Sequence, residues 1–335
     1  MNKINYIEHR GKVVEAGTQF EHVMAIALEP RTGYREGIVR CILSRDGDVS
    51  VSGYVDRSAL YRAHGNSLEH FTIGDRIDIK NQDEVVKNLV EEGGDFIGLE
   101  DPDIWIDENT NLMHVYFTMP IKNKDEKNYS INLGHAVGPD INSLTMTELT
   151  LCDQGDGGAK EVSIAPLNSK GVRLNLVESS KKGKQFRYST VRVAIAEDMG
   201  KPWVFGETLF NPEDHNIAWI GGHASPGPLL PKTFIDIGEH KLVGILNGRE
   251  ANTKVDGHTK YGMFSVGLFV YDYEEGKIDW VSPEPFIIDS EALTITFASQ
   301  FVETEPGKGI LYAHVDDSFI RAYNIDAEAI QQLLP

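Results

Sequence analysis

Short apolar runs alternating with polar residues recur along this chain in groups, and almost nothing between them reads as helix. The groups return about every 50 to 70 residues with several strands in each, a period that marks repeat architectures, and a repeating unit made of strands restricts the fold more than any other feature. The first group reads as strands at Gln19–Leu28, Ile38–Ser44 and Val49–Tyr54, with Leu60–Ile79 as a loop and outer strand. In the second, Ile104 and Ile106, then Met113, Val115 and Phe117, flank the hairpin residues Asp107 to Asn111, followed by Ser130–Val137 and a closing segment at Leu144–Leu151. The third follows the glycine-rich break GDGGAK with Val162–Ala165, Val172–Val177, Tyr188–Ile195 and a short strand near Trp203. HASPGPLLP, His240–Leu246, Met263–Tyr271 and IDWV form the fourth; Leu293–Phe297, Gly309–His314 and Ser318–Tyr323 form the fifth.

Repeated four-stranded meanders are the pattern of a β-propeller, in which each blade packs around a central channel. The expectation is therefore an all-β fold, a single five-bladed β-propeller domain with blades at about 18–85, 92–151, 158–212, 217–287 and 290–325. The one strong helical pattern, Asp326 to Leu334 with Asp326 as N-cap, predicts a short C-terminal helix. Length alone, at 335 residues, would suggest two domains, but all-β folds run longer as one unit.

With 51 acidic against 32 basic residues the net charge is −19, which argues against nucleic acid or an anionic membrane surface as partner. A neutral substrate is indifferent to that field. The two cysteines, Cys41 and Cys152, have no metal-ligand spacing and are expected to be buried free thiols. No metal or cofactor is expected. MNKINYIEHRGKVV lacks an apolar signal core, and no stretch approaches ~18 consecutive apolar residues, so the expectation is a cytoplasmic protein, with homo-oligomerisation left open.

The stretch GLEDPDIWID sets Glu100, Asp101 and Asp103 around Pro102, just ahead of a strand. Proline cannot donate to a ladder and pushes the residue before it out of helical space, so Asp101 belongs at a strand mouth facing a cavity. The plainer alternative is a solvated turn.

Laid out in order, these segments resemble glycoside hydrolase family 130, the mannoside phosphorylases and mannosidases among the five-bladed propeller glycosidases. EGIVRCILSRDGD is similar to the family's first-blade ending, and GLEDPDI resembles its Gly-x-Glu-Asp-Pro-Arg-Ile signature. AKEVSIAP looks like the strand opening its third blade, ASPGPLLPKTFIDIGEHKLVGILNG like its Gly-Pro-Pro-Pro-Ile stretch and following strand, and ILYAHVDDSFI like its last-blade ending. The resemblance spans roughly residues 18–325. It implies an oligosaccharide substrate and cleavage of a β-mannoside or related glycan at the propeller funnel. On that basis Asp101 matches the family's general acid, with its pKa expected to be raised by Glu100 and Asp103. Candidates for the base are Glu161, Glu178 and Asp317, Asp317 being the residue expected to bind sugar hydroxyls. Lys160, His223 and Arg40 complete the expected substrate contacts.

Three departures bear on the chemistry. Asp103 stands where the signature has arginine, Glu178 and Ser179 where phosphorylases carry Arg-Pro, and Leu246, Asn247 and Gly248 where they carry Tyr-His-Gly. Phosphate recognition needs such cationic donors, so hydrolysis is expected over phosphorolysis. A carbohydrate-binding or catalytically silent propeller is the alternative, and a phosphorylase the weaker one.

Overall fold

A computed structural model gives the fold over residues 8–50, 53–90, 92, 94–124, 129–153, 155, 157–182, 187–255 and 258–335. Parts of the polar insert IKNKDEKNYS and of the break GDGGAK lie outside them.

Strands dominate, in antiparallel meanders that follow one another along the chain. The first runs His22–Leu28, Glu36–Asp46, Val55–Ser67 and His70–Arg76. The second runs Glu100–Ile106, Met113–Lys122, Tyr129–Gly138 and Thr145–Met146, with Asp95–Phe96 also pairing on its second strand. The third comprises Lys160–Ser163, Arg173–Lys182, Arg187–Ala196 and Val204–Phe210. His223–Leu229, Lys241–Arg249, Phe264–Asp272 and Lys277–Val281 make the fourth, joined to the third by one parallel bridge between Ser189 and His223. The last combines Thr296–Glu305, Lys308–Val315 and Phe319–Asp326 with Glu8–Val14 from the other end of the chain.

The apolar faces of these twisted sheets meet in pairs. Ile38 and Leu60 of the first sheet pack with Met113 and Phe117 of the second, and Tyr116 and Leu133 of the second with Val177 and Ala194 of the third. Leu176 and Val191 of the third meet Leu246 and Phe269 of the fourth. Val243 and Leu268 of the fourth meet Leu311 and Tyr323 of the fifth. Finally Ile320 and Tyr312 of the fifth, with Val13 and Val14, pack on Val39 and Ile26 of the first. The order of contact is cyclic, a propeller-like ring. Each large aliphatic side chain buried at these junctions contributes about 1.5–3 kcal/mol, so cohesion lies between sheets as much as within them.

The tryptophans illustrate the packing. Trp203 and Trp219 are buried between sheets, Trp280 packs on the junction of the fourth and fifth, and Trp105 borders a cavity.

Several boundaries differ from the sequence reading. The third strand of the first group begins at Val55, because Val49 and Ser50 are in a turn; the segment read as loop and outer strand is mostly ladder. An eight-residue helix, Gln82–Leu89, links the first two meanders and sets Val85, Val86 and Leu89 against their shared core. At the C-terminus the helix is Ala327–Gln331, with the Asp326 carboxylate accepting from the backbone N–H groups of Glu328 and Ala329. Cys41 is buried, whereas Cys152 is exposed, contrary to the expectation of two buried thiols. Among the described residues no helix is long and apolar enough to cross a membrane, and no cluster of three or more His, Cys, Asp or Glu could hold a metal ion.

Candidate active site

The first strand of every meander carries a register irregularity near the ring's centre: at Met24/Ile26, Glu100/Asp103, Lys160/Val162, Pro226/Leu229 and Ala298/Gln300. A bulge re-aims the extra residue away from the pleat. In the second and third meanders those residues are Asp101, at φ 47°, and Glu161, at φ 51°. Side chains with a Cβ occupy the left-handed region at a cost of about 1–3 kcal/mol, and such strain persists where surrounding structure holds it. Two carboxylates are thus turned inward at equivalent places of neighbouring sheets.

They border a cavity of about 240 Å³ that also receives Arg40, Glu100, Lys160, His223 and Asp317. Arg40, 5% exposed, forks between two carboxylates: Nη1 donates to Asp101 Oδ1 at 2.8 Å, and Nη2 lies 2.7 Å from Glu100 Oε1. Glu178 does not line the cavity. It sits 2% exposed behind the wall, with Oε1 3.3 Å from Lys160 Nζ and Oε2 3.0 Å from His223 Nε2. Asp317 enters from the turn after Lys308–Val315; Tyr54 Oη donates to its Oδ2 at 3.2 Å. His314 Nδ1 is 2.9 Å from Asp317 Oδ1 but not aligned for a hydrogen bond, so that oxygen keeps capacity to accept one.

The electrostatics depart from expectation at Asp101. Burial opposes its ionisation, but Arg40 and Lys160, with hydrogen bonds from Arg40 and Glu161, outweigh it and hold Asp101 below the ordinary carboxylate range. The repulsion expected from Glu100 and Asp103 does not prevail, because the attraction of Arg40 and Lys160 outweighs it. Glu161 moves the other way: burial, then repulsion from Asp101, pushes it well above its ordinary value. Neutral Glu161 therefore donates to ionised Asp101, and the pair shares one proton, as close carboxyls must. Burial also raises Glu100 to about 7, against the pull of Arg40. For Glu178, burial is outweighed by His223 and Lys160, and it stays ionised. His223, pushed down to about 4 by burial in spite of Glu178, is a neutral imidazole whose Nε2–H donates to that carboxylate.

Asp103 is not in this cavity. It borders a second one of about 380 Å³, lined also by Trp105, Pro226, Pro228 and Gln300, and Asp101 and Glu161 border both. Burial raises Asp103 to about 7. Of the residues read from the sequence, the structure brings Arg40, Glu100, Asp101, Lys160, Glu161, His223 and Asp317 together, sets Glu178 behind them and turns Asp103 to the other side. Tyr54, His314 and Phe264 also line it, without having been anticipated. Tyr54 lies at a turn and His314 beside an Asp-Asp pair, and neither position carries a pattern that would have marked it.

Comparison with protein-family models and with curated proteins finds no match. Solved structures do match. A β-1,2-mannobiose phosphorylase from Listeria innocua superposes with a TM-score of 0.62 at 12% identity, over 100% of this chain and 94% of that one. A glycosyl hydrolase from Bacteroides ovatus gives 0.62 at 16% identity, over 98% and 93%. A mannose phosphorylase from Leishmania mexicana gives 0.55 at 14% identity, over 94% and 87%. At such identities the likeness is one of fold, and in fold the chain resembles family 130 from end to end.

Proposed function

We propose that this chain is a glycoside hydrolase built on a five-bladed propeller, cleaving a β-mannoside or related oligosaccharide with inversion at the ring's central cavity. The cyclic order of the inter-sheet cores supports five blades. The observation that carries the chemistry is the Asp101–Glu161 pair: one shared proton, held by two strained bulge residues at the wall of a cavity lined with polar side chains.

Inverting hydrolysis needs an acid to protonate the leaving oxygen and a carboxylate to activate water from the opposite face, roughly 6.5–9.5 Å apart. Hydrogen-bonded to each other, Asp101 and Glu161 are too close to divide those roles, and together they serve as the acid. Glu178 lies outside the cavity lining and is engaged by Lys160 and His223, so its role is to hold those two in place. Asp317 is the remaining base candidate. It is ionised, because His314, Arg40 and Arg45 outweigh the effect of burial, and one of its oxygens lacks an aligned donor. It comes from the fifth meander, which adjoins neither the second nor the third in the ring. Water taken between Asp317 and the anomeric carbon would lose its proton to Asp317 as the leaving oxygen takes the proton of the pair. Arg40 and Lys160 keep the pair's second charge in place throughout.

The test is incubation with manno-oligosaccharides, with and without phosphate, while proton NMR follows the product anomer. Free reducing sugar of inverted configuration, formed at a rate indifferent to phosphate, is the expected outcome. Sugar 1-phosphate among the products would replace hydrolysis by phosphorolysis.

A further inference from the structure

The catalytic cavity continues sideways into a pocket of about 280 Å³ that shares Tyr54, Lys160, His223 and Phe264 with it and adds Arg249, Tyr261 and Ser189. Arg249 is the last residue of the strand Lys241–Arg249 and only 9% exposed. Its guanidinium carbon lies 4.3 Å from the centre of the Tyr261 ring and 5.2 Å from that of Phe264, and its Nε is buried without a hydrogen-bond partner. Among the described residues no carboxylate stands in ion-pair contact with it.

Other buried arginines here are compensated: Arg40 by Glu100 and Asp101, Arg45 by Asp56, Arg321 by Asp289 and Glu291. In a chain of net charge −19, leaving one out is an exception, since a buried charge without a partner is strongly disfavoured. Burial pushes Arg249 below its ordinary value, and the opposing influence of Tyr261 and Glu178 does not restore it. Lys160, in contact with Glu178 and close enough to Asp101 to hold it ionised, has its charge already answered. His223 is neutral. The pocket therefore offers one uncompensated positive charge, on a planar group restrained by two rings.

We propose that this pocket seats the carboxylate of an acidic sugar, so that the substrate is a uronic-acid-containing oligosaccharide. One planar guanidinium matches one carboxylate, two parallel N–H donors to two oxygens, charge for charge. A phosphate dianion would meet a single free cation with ionised Glu178 close behind. Tyr261 and Phe264 give the sugar ring apolar faces beside its charged group. The assignment rests on the glycosidase reading for its consequence, but the pocket's preference can be measured without turnover.

The experiment titrates the full chain by calorimetry with mannuronate and glucuronate, with mannose and glucose, and with inorganic phosphate. Uronates are expected to bind at least about tenfold tighter than the neutral sugars. Arg249→Gln should erase that preference, and Arg249→Lys should restore part of it. Equal binding of charged and neutral sugars by the unaltered protein overturns the proposal even if the Arg249 variants fail to fold, and so does binding of phosphate without any preference for uronates. Uronate preference in a protein that cleaves no glycan would sink the glycosidase reading and leave the pocket standing. Cleavage of neutral glycans as fast as acidic ones would do the reverse.

Discussion

Asp101 and Glu161 are both carboxylates on bulges of neighbouring strands, yet their surroundings send one below and the other above the ordinary range. If they hold the catalytic proton jointly, Asp101→Asn and Glu161→Gln should each lower kcat by about two to four orders of magnitude, the usual share of general acid catalysis, while the fold stays intact. Their combination should cost little more than either alone, because residues acting as a unit are not additive. Multiplicative losses measured in steady-state kinetics would mean that they act separately. Asp103 offers a different check. Its folded-state value near 7 lies above the 3.8 of an unperturbed aspartate, so its contribution to stability is present below about pH 4 and lost as pH rises to 7. Asp103→Asn should therefore match the parent at pH 4 and exceed it by up to a few kcal/mol at pH 8, read from denaturant midpoints at each pH. A constant difference across that range would refute the burial argument. Asp101 was legible in the sequence because Pro102 fixes the backbone beside it. Glu161 was named by its place at a strand start, but its protonation depends on burial and on Asp101 from the neighbouring sheet. Nothing local marks Arg249, whose character lies in a missing partner.

The strand elements follow from alternation, and the hairpin at Asp107–Asn111 from its turn residues. Alternation fails where neighbours decide. The strand Glu8–Val14 contains Gly11 and several charged residues and was not expected; it pairs with Phe319–Asp326 because that edge would otherwise be open. The helix Gln82–Leu89 carries three polar residues in its first turn and a narrow apolar stripe, too short for periodicity to separate from a loop. The fourth meander shows an element shaped by one side chain. Gly248 and Gly267, which pair with neighbouring positions on adjacent strands, clear a slot for Trp219. A Cβ on either would come within 2.3 Å of the indole ring. Trp219 is held there by its Nε1–H, which donates to Ser282 O at 3.0 Å. Gly267→Ala should therefore destabilise by about 1–3 kcal/mol through overpacking, seen as a lower Tm, and Trp219→Phe in the same chain should recover part of the loss. An unchanged Tm would show that the sheet yields more easily than its contacts imply.

At the scale of the whole molecule, the ring is closed by a strand from the opposite end of the chain, and every sheet then has an apolar neighbour on each side. The cavity needs that closure: Asp317 and His314 come from the fifth meander, Arg40 from the first, and the shared proton from the second and third. Opening the ring anywhere separates groups that no single sheet supplies. Val13 and Val14, each 1% exposed at the junction of the first and fifth sheets, are where this can be tested. Val14→Asp places a carboxylate among Ile320, Ile26 and Tyr312 with no cation in that cluster, and a buried unpaired charge of this kind costs about 3 kcal/mol or more. Because the five cores are linked in a circle, the loss should appear as a lower midpoint of one cooperative transition, shared by far-ultraviolet circular dichroism and tryptophan fluorescence. Trp105, Trp203 and Trp219 lie away from the cores of the first and fifth sheets and Trp280 packs on the junction of the fourth and fifth, so a dichroism change ahead of most of the fluorescence change would mean that the closing sheet melts alone. In that case the propeller would be a row of sheets held end to end, and the cavity's charge balance would not depend on closure.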